Sequence, residues 1–212
     1  MHFFVTGTDT GVGKTHTVLQ LLKLLRANGH GCAGFKPICC GDRQDAERLL
    51  AASANGLTIE EINPLWLRTP AAPLTASQIE GVRINIDALT AAFRRVAARV
   101  EDVLVEGVGG WMVPILADYF VRDLAVDLAL PVLVVARNRL GCLNHTLLTV
   151  NSVQAAGLRC AAVVLNDPTT NGDIASTTNA DILAKILDVP LLTGLAQESA
   201  ELPAKWAAIS GV

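Results

Sequence analysis

Lys14 and Thr15 close a glycine-rich stretch, Gly7-Thr8-Asp9-Thr10-Gly11-Val12-Gly13, whose residue types suit one task, holding phosphate. Glycines let several backbone N–H groups converge on an anion with no Cβ in the way. An ammonium at Lys14 can meet the terminal phosphates as a point charge. The Thr15 hydroxyl is the kind of hard oxygen that Mg²⁺ takes as a ligand. The plain phosphate-binding loop has four residues between its first glycine and Gly-Lys-Ser/Thr. Here five separate Gly7 from Gly13, so the loop is a variant. An ordinary glycine-rich turn followed by a coincidental Lys-Thr is the competing reading. The flanks speak against it: Phe3-Phe4-Val5 is an apolar strand, and Val18, Leu21, Leu22 and Leu25 repeat at helical spacing.

Other polar residues stand where apolar strands end. Cys32-Ala33-Gly34-Phe35 reads as a strand, and Lys36 follows it before Pro37, which holds Lys36 extended. A charged residue there lies on the edge where open α/β sheets bind ligands, although a solvated surface lysine is the plain alternative. Val103-Leu104-Val105 runs into Glu106-Gly107-Val108-Gly109-Gly110. A carboxylate closing an apolar strand needs a cation or donors if it is buried, and Mg²⁺ opposite the loop is the natural one. The alternative is a Glu106 exposed at the strand end. Asp45, at the start of a short helix within the 41–53 segment, is most simply an acid facing the helix dipole. Ala161-Ala162-Val163-Val164-Leu165 ends in Asn166-Asp167. Arg137 to Asn144 leads into a helix over 145–156, and its basic, glycine-containing start could hold an anion. His145 is a helix-start residue, with no partner at metal-ligand spacing.

The elements that must position these residues alternate. Asn85 to Val100 is an amphipathic helix, with Ile86, Leu89, Phe93 and Val96 on one face. Asp118 and Asp123 flank a helix reaching about Leu130, and Val132 to Val135 is a buried strand. Residues 56–80, with Pro64, Pro70 and Pro73, read as an irregular loop crossing the ligand edge. A helix is predicted over 174–187, a last strand at Leu191-Leu192, and a short tail helix around Pro203 and Trp206. About six apolar strands separated by helices predict an α/β fold: one domain, 1–212, with a mostly parallel, doubly wound sheet and helices on both faces.

Composition narrows the function. The chain has 212 residues, 51% of them hydrophobic and only 4% aromatic, which fits a Leu/Val/Ala core flanking a parallel sheet. A net charge of −3 with interspersed signs argues against nucleic acid and against a polybasic membrane anchor. The apolar region 124–136 is broken by Asp127 and Pro131 and is too short to span a bilayer. Five cysteines, an odd set with no C-x-x-C pair, read as reduced thiols, and a chain starting directly on a strand reads as cytoplasmic.

The motifs together resemble the dethiobiotin synthetase family. They are Val5-Thr6-Gly7-Thr8-Asp9-Thr10 through Val12-Gly13-Lys14-Thr15, Gly34-Phe35-Lys36-Pro37, Asn63-Pro64, Val105-Glu106-Gly107-Val108-Gly109-Gly110-Trp111, Leu140-Gly141-Cys142-Leu143-Asn144-His145 and Asn166-Asp167. The five-residue loop spacing is the family's own. The resemblance implies a P-loop fold and an ATP- and Mg²⁺-dependent cyclo-ligase of biotin synthesis. Its substrates would be 7,8-diaminononanoate (diaminopelargonate), CO₂ and ATP, joined through a carbamate and a carbamic–phosphoric anhydride. It implies catalytic roles for Lys14 and Lys36, with Thr15, Asp45 and Glu106 as metal ligands. ATP would be held by Asp9, Thr10, Gly11, Val12, Gly13, Lys14, Thr15 and Asn166, the last reading adenine. Substrate positions would be Thr10, Lys36, Cys40, Gly109 and Gly110. Gly141, Cys142 and Asn144 would take the substrate carboxylate across a homodimer interface.

Three features depart from the family pattern. Cys40 stands where Ser or Thr is usual near the carbamate, the loop from Gly41 to Asp45 is short, and Thr193-Gly194-Leu195-Ala196 lacks the usual Ile-Pro. The rival readings fare worse. A partition or cell-division ATPase switch carries a signature lysine early in the loop, and here that position is Asp9. An ATP-dependent amidotransferase needs a glutaminase domain for which 212 residues leave no room.

Overall fold

The computed structural model describes residues 1–54, 56–167, 174–193 and 209. Strand β1 (His2–Gly7) enters the core, with Phe3, Phe4 and Val5 all buried. Burial on both faces is what a central parallel strand requires, and it explains an apolar run without alternation. Helix α1 (Lys14–Ala27) starts only after Gly13, whose φ of 96° is a left-handed turn open to glycine. Its buried stripe is Val18, Leu21, Leu22 and Leu25.

Strand β2 (Cys32–Phe35) is fully buried, and β3 (Ile38–Cys40) follows directly. Helix α2 (Gln44–Ala52) lies close on β2: a Cβ added at Gly34 would stand 2.9 Å from Leu49 Cδ2. That contact brings the first turn of α2, with Asp45, over the end of β2.

Residues 56–80 are more ordered than their prolines suggest. They form α3 (Ile59–Ile62), β4 (Leu65–Leu67) and α4 (Pro73–Glu80). The prolines fall at element boundaries, and Pro73 takes the first position of α4, where a missing N–H costs nothing. Thr58 and Glu61 form a reciprocal capping box at α3. β4 pairs in parallel with β3 as a separate two-stranded sheet. The expectation of an irregular loop is therefore corrected.

Helix α5 (Ile86–Ala97) is capped by Asn85, whose side chain accepts from the Ala88 N–H. Phe93 meets Phe35 edge-on at 6.0 Å between centroids. Strand β5 (Asp102–Glu106) is buried throughout. The ribbon β6 (Pro114–Leu116) and β7 (Tyr119–Phe120) follows, then α6 (Val121–Leu128), which contains Asp123 and ends short of Leu130. The Asp123 carboxylate accepts from the Phe120 N–H at 2.7 Å, so it caps the helix from within. After β8 (Val132–Arg137), α7 (Cys142–Ala155) starts at Cys142, three residues before the predicted 145, because Gly141 at φ 91° makes the turn. Strand β9 (Cys160–Asn166), α8 (Ile174–Ile186) and β10 (Leu191–Thr193) complete the described chain. The predicted tail helix and residues 194–196 lie outside the described residues.

The main sheet has six strands in the order β10-β9-β8-β1-β5-β2, every pair parallel. All their C-terminal ends therefore share one edge. Along it come Lys36 after β2, Glu106 on β5, the loop after β1, Arg137 on β8 and Asn166 on β9. The strand order sorts the chemistry, placing a charged lysine–carboxylate half on one side of the loop and an amide half on the other.

Candidate active site

The loop after β1 curls back on itself. A Cβ on Gly7 would lie 2.7 Å from the Asp9 carbonyl oxygen and 3.1 Å from Lys14 Nζ, so only glycine lets the lysine fold over the turn. Lys14 Nζ donates to that Asp9 carbonyl at 3.3 Å. The first intrahelical bond of α1 runs from the Thr17 N–H to the Gly13 carbonyl, so the amides before it face out of the helix, toward an anion.

Beside the loop sits a buried charge cluster. Lys36 Nζ donates to Glu106 Oε1 at 2.5 Å and to Asp45 Oδ2 at 3.4 Å. Thr15 Oγ1 donates to the same Glu106 oxygen at 2.9 Å. Lys36 is 4% exposed and Glu106 0%, so neither is the solvated surface residue of the alternative reading. The second carboxylate oxygen, Glu106 Oε2, is buried with no partner among the described residues. An unpaired anionic oxygen beside a hydroxyl and a second carboxylate forms an all-oxygen donor set suited to a hard divalent cation. Burial alone would lower the Lys36 pKa, but Glu106 and Asp45 overcome it and hold the pKa above the ordinary lysine value.

Lys14 behaves differently. Burial first, and then the neighbouring Lys36 ammonium, lower it to about 8 against the opposing pull of Glu106, Asp45 and Asp9. Between about pH 8 and the ordinary lysine value, the unfolded chain holds a proton that the fold does not, so this group's contribution to stability rises with pH there. Phosphate has the opposite preference, because it favours the ammonium. Binding of a nucleotide triphosphate should take up a proton above about pH 8, and affinity should fall there by up to roughly tenfold per pH unit. Titration calorimetry in buffers of different ionisation enthalpy reads both effects. An affinity that stays flat across this range would detach the phosphates from Lys14.

These groups line a cleft of about 430 Å³ that also takes in Thr10, Gly11, Gly13, Cys40 and Gly109. The turn after β5 closes it from above: a Cβ on Gly109 would stand 3.5 Å from Thr10 Oγ1, and one on Gly110 3.4 Å from the Gly7 carbonyl. Burial pushes the Cys40 and Cys39 thiols up to about 11, so both are protonated near neutral pH. All five cysteines are free.

On the other side of the loop a second recess, about 310 Å³, is lined by Val12, Arg137, Asn166 and Asp167 among others. Asn166 Nδ2 donates to the carbonyls of Val12 at 3.0 Å and Gly13 at 3.2 Å, and lies 3.2 Å from Thr17 Oγ1. Those carbonyls fix which end of the amide is nitrogen, and Asn166 Oδ1 is left buried without a partner among the described residues. So Asn166 braces the loop as well as facing this recess. A Cβ on Gly13 would meet its amide at 2.5 Å, which ties β9 to the loop.

Gly110 lines a third recess, about 320 Å³, with Thr8, Asp9, Thr10, Trp111 and Leu148. The α7 start does not join the main cleft. The Cys142 side chain packs in a small apolar cluster with Ala136, Leu165 and Leu183, and its amide donates to the Arg139 carbonyl. Gly141 and Asn144 are exposed. Asp9 pairs with Arg139 at 3.6 Å, an exposed contact worth little.

Sequence reasoning assigned no task to Asn63 or Arg43. Asn63, 1% exposed, donates to the Lys36 carbonyl at 2.8 Å and the Leu65 carbonyl at 3.0 Å. Arg43 donates to both Asn63 oxygens at 2.9 Å. Together they fix the backbone that presents Lys36. The one available signal was an Asn before Pro64 in an otherwise apolar setting.

A family model described as an AAA domain matches residues 1–200. The chain is 43% identical over 191 residues to the ATP-dependent dethiobiotin synthetase of Akkermansia muciniphila, covering 90% of each chain. It is 38% identical to that of Aromatoleum aromaticum, covering 97% of this chain and 95% of the relative, and 38% identical to that of Bacillus licheniformis, covering 90% and 83%. Among solved structures it is similar to the cell-division protein complex MinC:MinD of Aquifex aeolicus, with a TM-score of 0.58 at 14% identity over 98% of this chain and 86% of that one. A ParA-family ATPase from Chlorobium tepidum gives 0.57 at 14% identity over 99% and 89%. At that identity the two structures share a fold with this chain and nothing finer.

Proposed function

The chain belongs to the family of ATP-dependent dethiobiotin synthetases, and from that premise we propose that it closes the ureido ring of dethiobiotin from 7,8-diaminononanoate, CO₂ and ATP. It is an ATP-dependent cyclo-ligase of biotin synthesis that acts on small molecules. The finer reading takes residues 1–212 as one synthetase domain working in the cytoplasm.

The observation that carries the mechanism is the Lys36–Glu106–Thr15 cluster beside Lys14, whose ammonium is held on the loop's own Asp9 carbonyl. One substrate amine adds CO₂ to give a carbamate. A carbamate oxygen attacks the γ-phosphorus, the bond to the bridging oxygen breaks, and ADP leaves. The second amine attacks the carbonyl carbon of the mixed anhydride, the ring closes, and phosphate departs. The first transfer brings two anions together, so the site must supply positive charge and exclude water. Lys14 and the outward-facing amides of the loop, from Asp9 to Thr15, hold the β- and γ-phosphates. Lys36, already fixed at the end of β2, meets the carbamate and the γ-phosphoryl group. Thr10, Gly109 and Gly110 surround the carbamate, and Cys40 offers a weak thiol donor where a hydroxyl is usual. Thr15, Asp45 and Glu106 would hold Mg²⁺, which when bound supplies charge neutralisation on the phosphates. Asn166, on the lining of the second recess, is the residue assigned to adenine, while its nitrogen stays on the loop.

The α7 start is assigned the substrate carboxylate. The cleft and the exposed Gly141 and Asn144 stand apart, which supports a homodimer in which α7 serves the partner's site. Sedimentation at a single chain mass would refute the dimer.

Purified protein with diaminononanoate, bicarbonate, Mg²⁺ and ATP should yield dethiobiotin, ADP and phosphate in equal amounts, read by mass spectrometry and a phosphate assay. ATP hydrolysis with no dethiobiotin would favour a nucleotide-driven switch instead.

A further inference from the structure

Cys40 and Asp45 both line the main cleft, and the short turn between them joins β3 to α2. Arg43 stands at the cap position of α2 and makes no side-chain cap bond there. The turn is instead held from outside, by the β4 segment. Gly41 takes a φ of 86°, its N–H donates to the Leu67 carbonyl at 2.9 Å, and its carbonyl accepts from Trp66 Nε1 at 2.8 Å. A Cβ there would stand 3.2 Å from Pro70 Cβ. The Trp66 ring also carries the Arg43 guanidinium, 5.3 Å from its centroid, and that of Arg68 at 5.2 Å. Arg43 in turn holds Asn63, and Asn63 holds the Lys36 carbonyl at 2.8 Å. Two lines of contact thus leave one side chain. One reaches Cys40 and Asp45 through Gly41, and the other reaches Lys36 through Arg43 and Asn63. Trp66 is 38% exposed, against full burial of Leu67 beside it, so its ring is placed for these contacts more than for the core.

We propose that Trp66 is a positioning residue of the reaction: its indole N–H and ring face hold the turn that sets Asp45 for the metal and Lys36 for the transferred phosphoryl group. This rests on reading the cleft as the Mg²⁺ and ATP site. The Asp45 carboxylate needs such support. Its side chain is 45% exposed, and its contact to Lys36 Nζ is 3.4 Å, the longer of that lysine's two carboxylate contacts. Its place therefore depends on the backbone of the first turn of α2. A hydrogen bond to a turn carbonyl adds little to global stability, yet a shift of about 1 Å at a reacting centre can cost roughly a hundredfold in rate. The loss of Trp66 should therefore appear in metal binding and turnover more than in melting.

The test compares wild type with Trp66→Phe, Trp66→Leu, Arg68→Gln and Asp45→Asn. Phenylalanine keeps a ring face for Arg43 and loses the N–H, and leucine loses both. Mn²⁺ binding in the presence of a non-hydrolysable ATP analogue is read by electron paramagnetic resonance, and amide hydrogen exchange by mass spectrometry. Trp66→Leu should raise the Mn²⁺ dissociation constant about tenfold and Trp66→Phe about fourfold, while Arg68→Gln should match wild type. The fall in kcat should follow the same order, and metal-free binding of the analogue should stay within about twofold of wild type. Exchange should speed up in residues 41–45 and not in the loop after β1. A folded Trp66→Leu protein with wild-type Mn²⁺ affinity and kcat would overturn the inference. So would faster exchange spread evenly over the main sheet with a lowered melting temperature, which would make Trp66 a packing residue. Asp45→Asn is the reference for the metal. If it leaves Mn²⁺ affinity unchanged, the metal reading falls and takes the inference with it, whereas a loss in Asp45→Asn with none in Trp66→Leu refutes Trp66 alone.

Discussion

Lys36→Gln should lower kcat by roughly a hundredfold or more, about 3 kcal/mol of transition-state stabilisation, with ATP affinity changed only a few fold. The side chain is buried, and its ammonium is fixed by Glu106 at 2.5 Å and Asp45 at 3.4 Å before any substrate arrives. A charge held in place needs little reorganisation when the carbamate and the γ-phosphoryl group develop negative charge between them. Glutamine keeps two N–H donors and roughly the volume, but loses the charge. Lys14→Gln provides the contrast. In the proposed mechanism its ammonium serves the ground-state phosphates, so that variant should bind ATP weakly as well as turn over slowly. Steady-state kinetics with separate titrations of ATP and diaminononanoate distinguish the two patterns. A Lys36→Gln enzyme with wild-type kcat would take Lys36 out of the chemistry and leave it a partner for Glu106.

Several parts of this site were legible in the sequence because their cause is local. An apolar run, a glycine-rich turn and a helical repeat follow one another in the sequence, and the structure places β1, the turn and α1 there. Lys36, Glu106 and Asn166 stood out because each ends a buried strand, and parallel pairing puts such ends on one edge. Strand order was not legible, since it depends on packing between distant segments. That order decides that Glu106 lies beside Lys36 and Asn166 across the loop from both. Residues 56–80 were misread because three prolines look alike in sequence, whether they break an element or begin one. Pro73 begins α4, and Asn63 before Pro64 is spent on backbone carbonyls. The inward turn of Cys142 was equally invisible, because nothing in Gly-Cys-Leu-Asn says which side of the helix start meets the apolar cluster of Ala136 and Leu183.

The Lys36–Glu106 pair should also dominate the stability of this edge of the sheet. Both partners are almost wholly buried, at 5% and 1% side-chain exposure, so removing one leaves a charge with little access to water. Breaking such a pair typically costs about 3–5 kcal/mol, whereas replacing both partners by apolar groups is often neutral. Glu106→Leu leaves Lys36 with the longer contacts to Asp45, which is 45% exposed on its side chain and so less able to compensate, and to the neutral Gly107 carbonyl at 3.5 Å. Lys36→Met leaves the Glu106 carboxylate with one hydroxyl donor, Thr15 Oγ1 at 2.9 Å. Each single variant should therefore unfold at markedly lower denaturant concentration than wild type. The double variant should recover most of the loss, so the cycle should show a coupling well above the ~0.5 kcal/mol expected of independent sites. Activity should not recover, because neither the ammonium nor the carboxylate proposed as a metal ligand remains. Chemical denaturation of the four proteins, in Mg²⁺-free buffer with nucleotide absent, measures the coupling. A double variant whose loss equals the sum of the singles would mean that the two charges do not compensate each other, and that the cluster is held together by its neighbours.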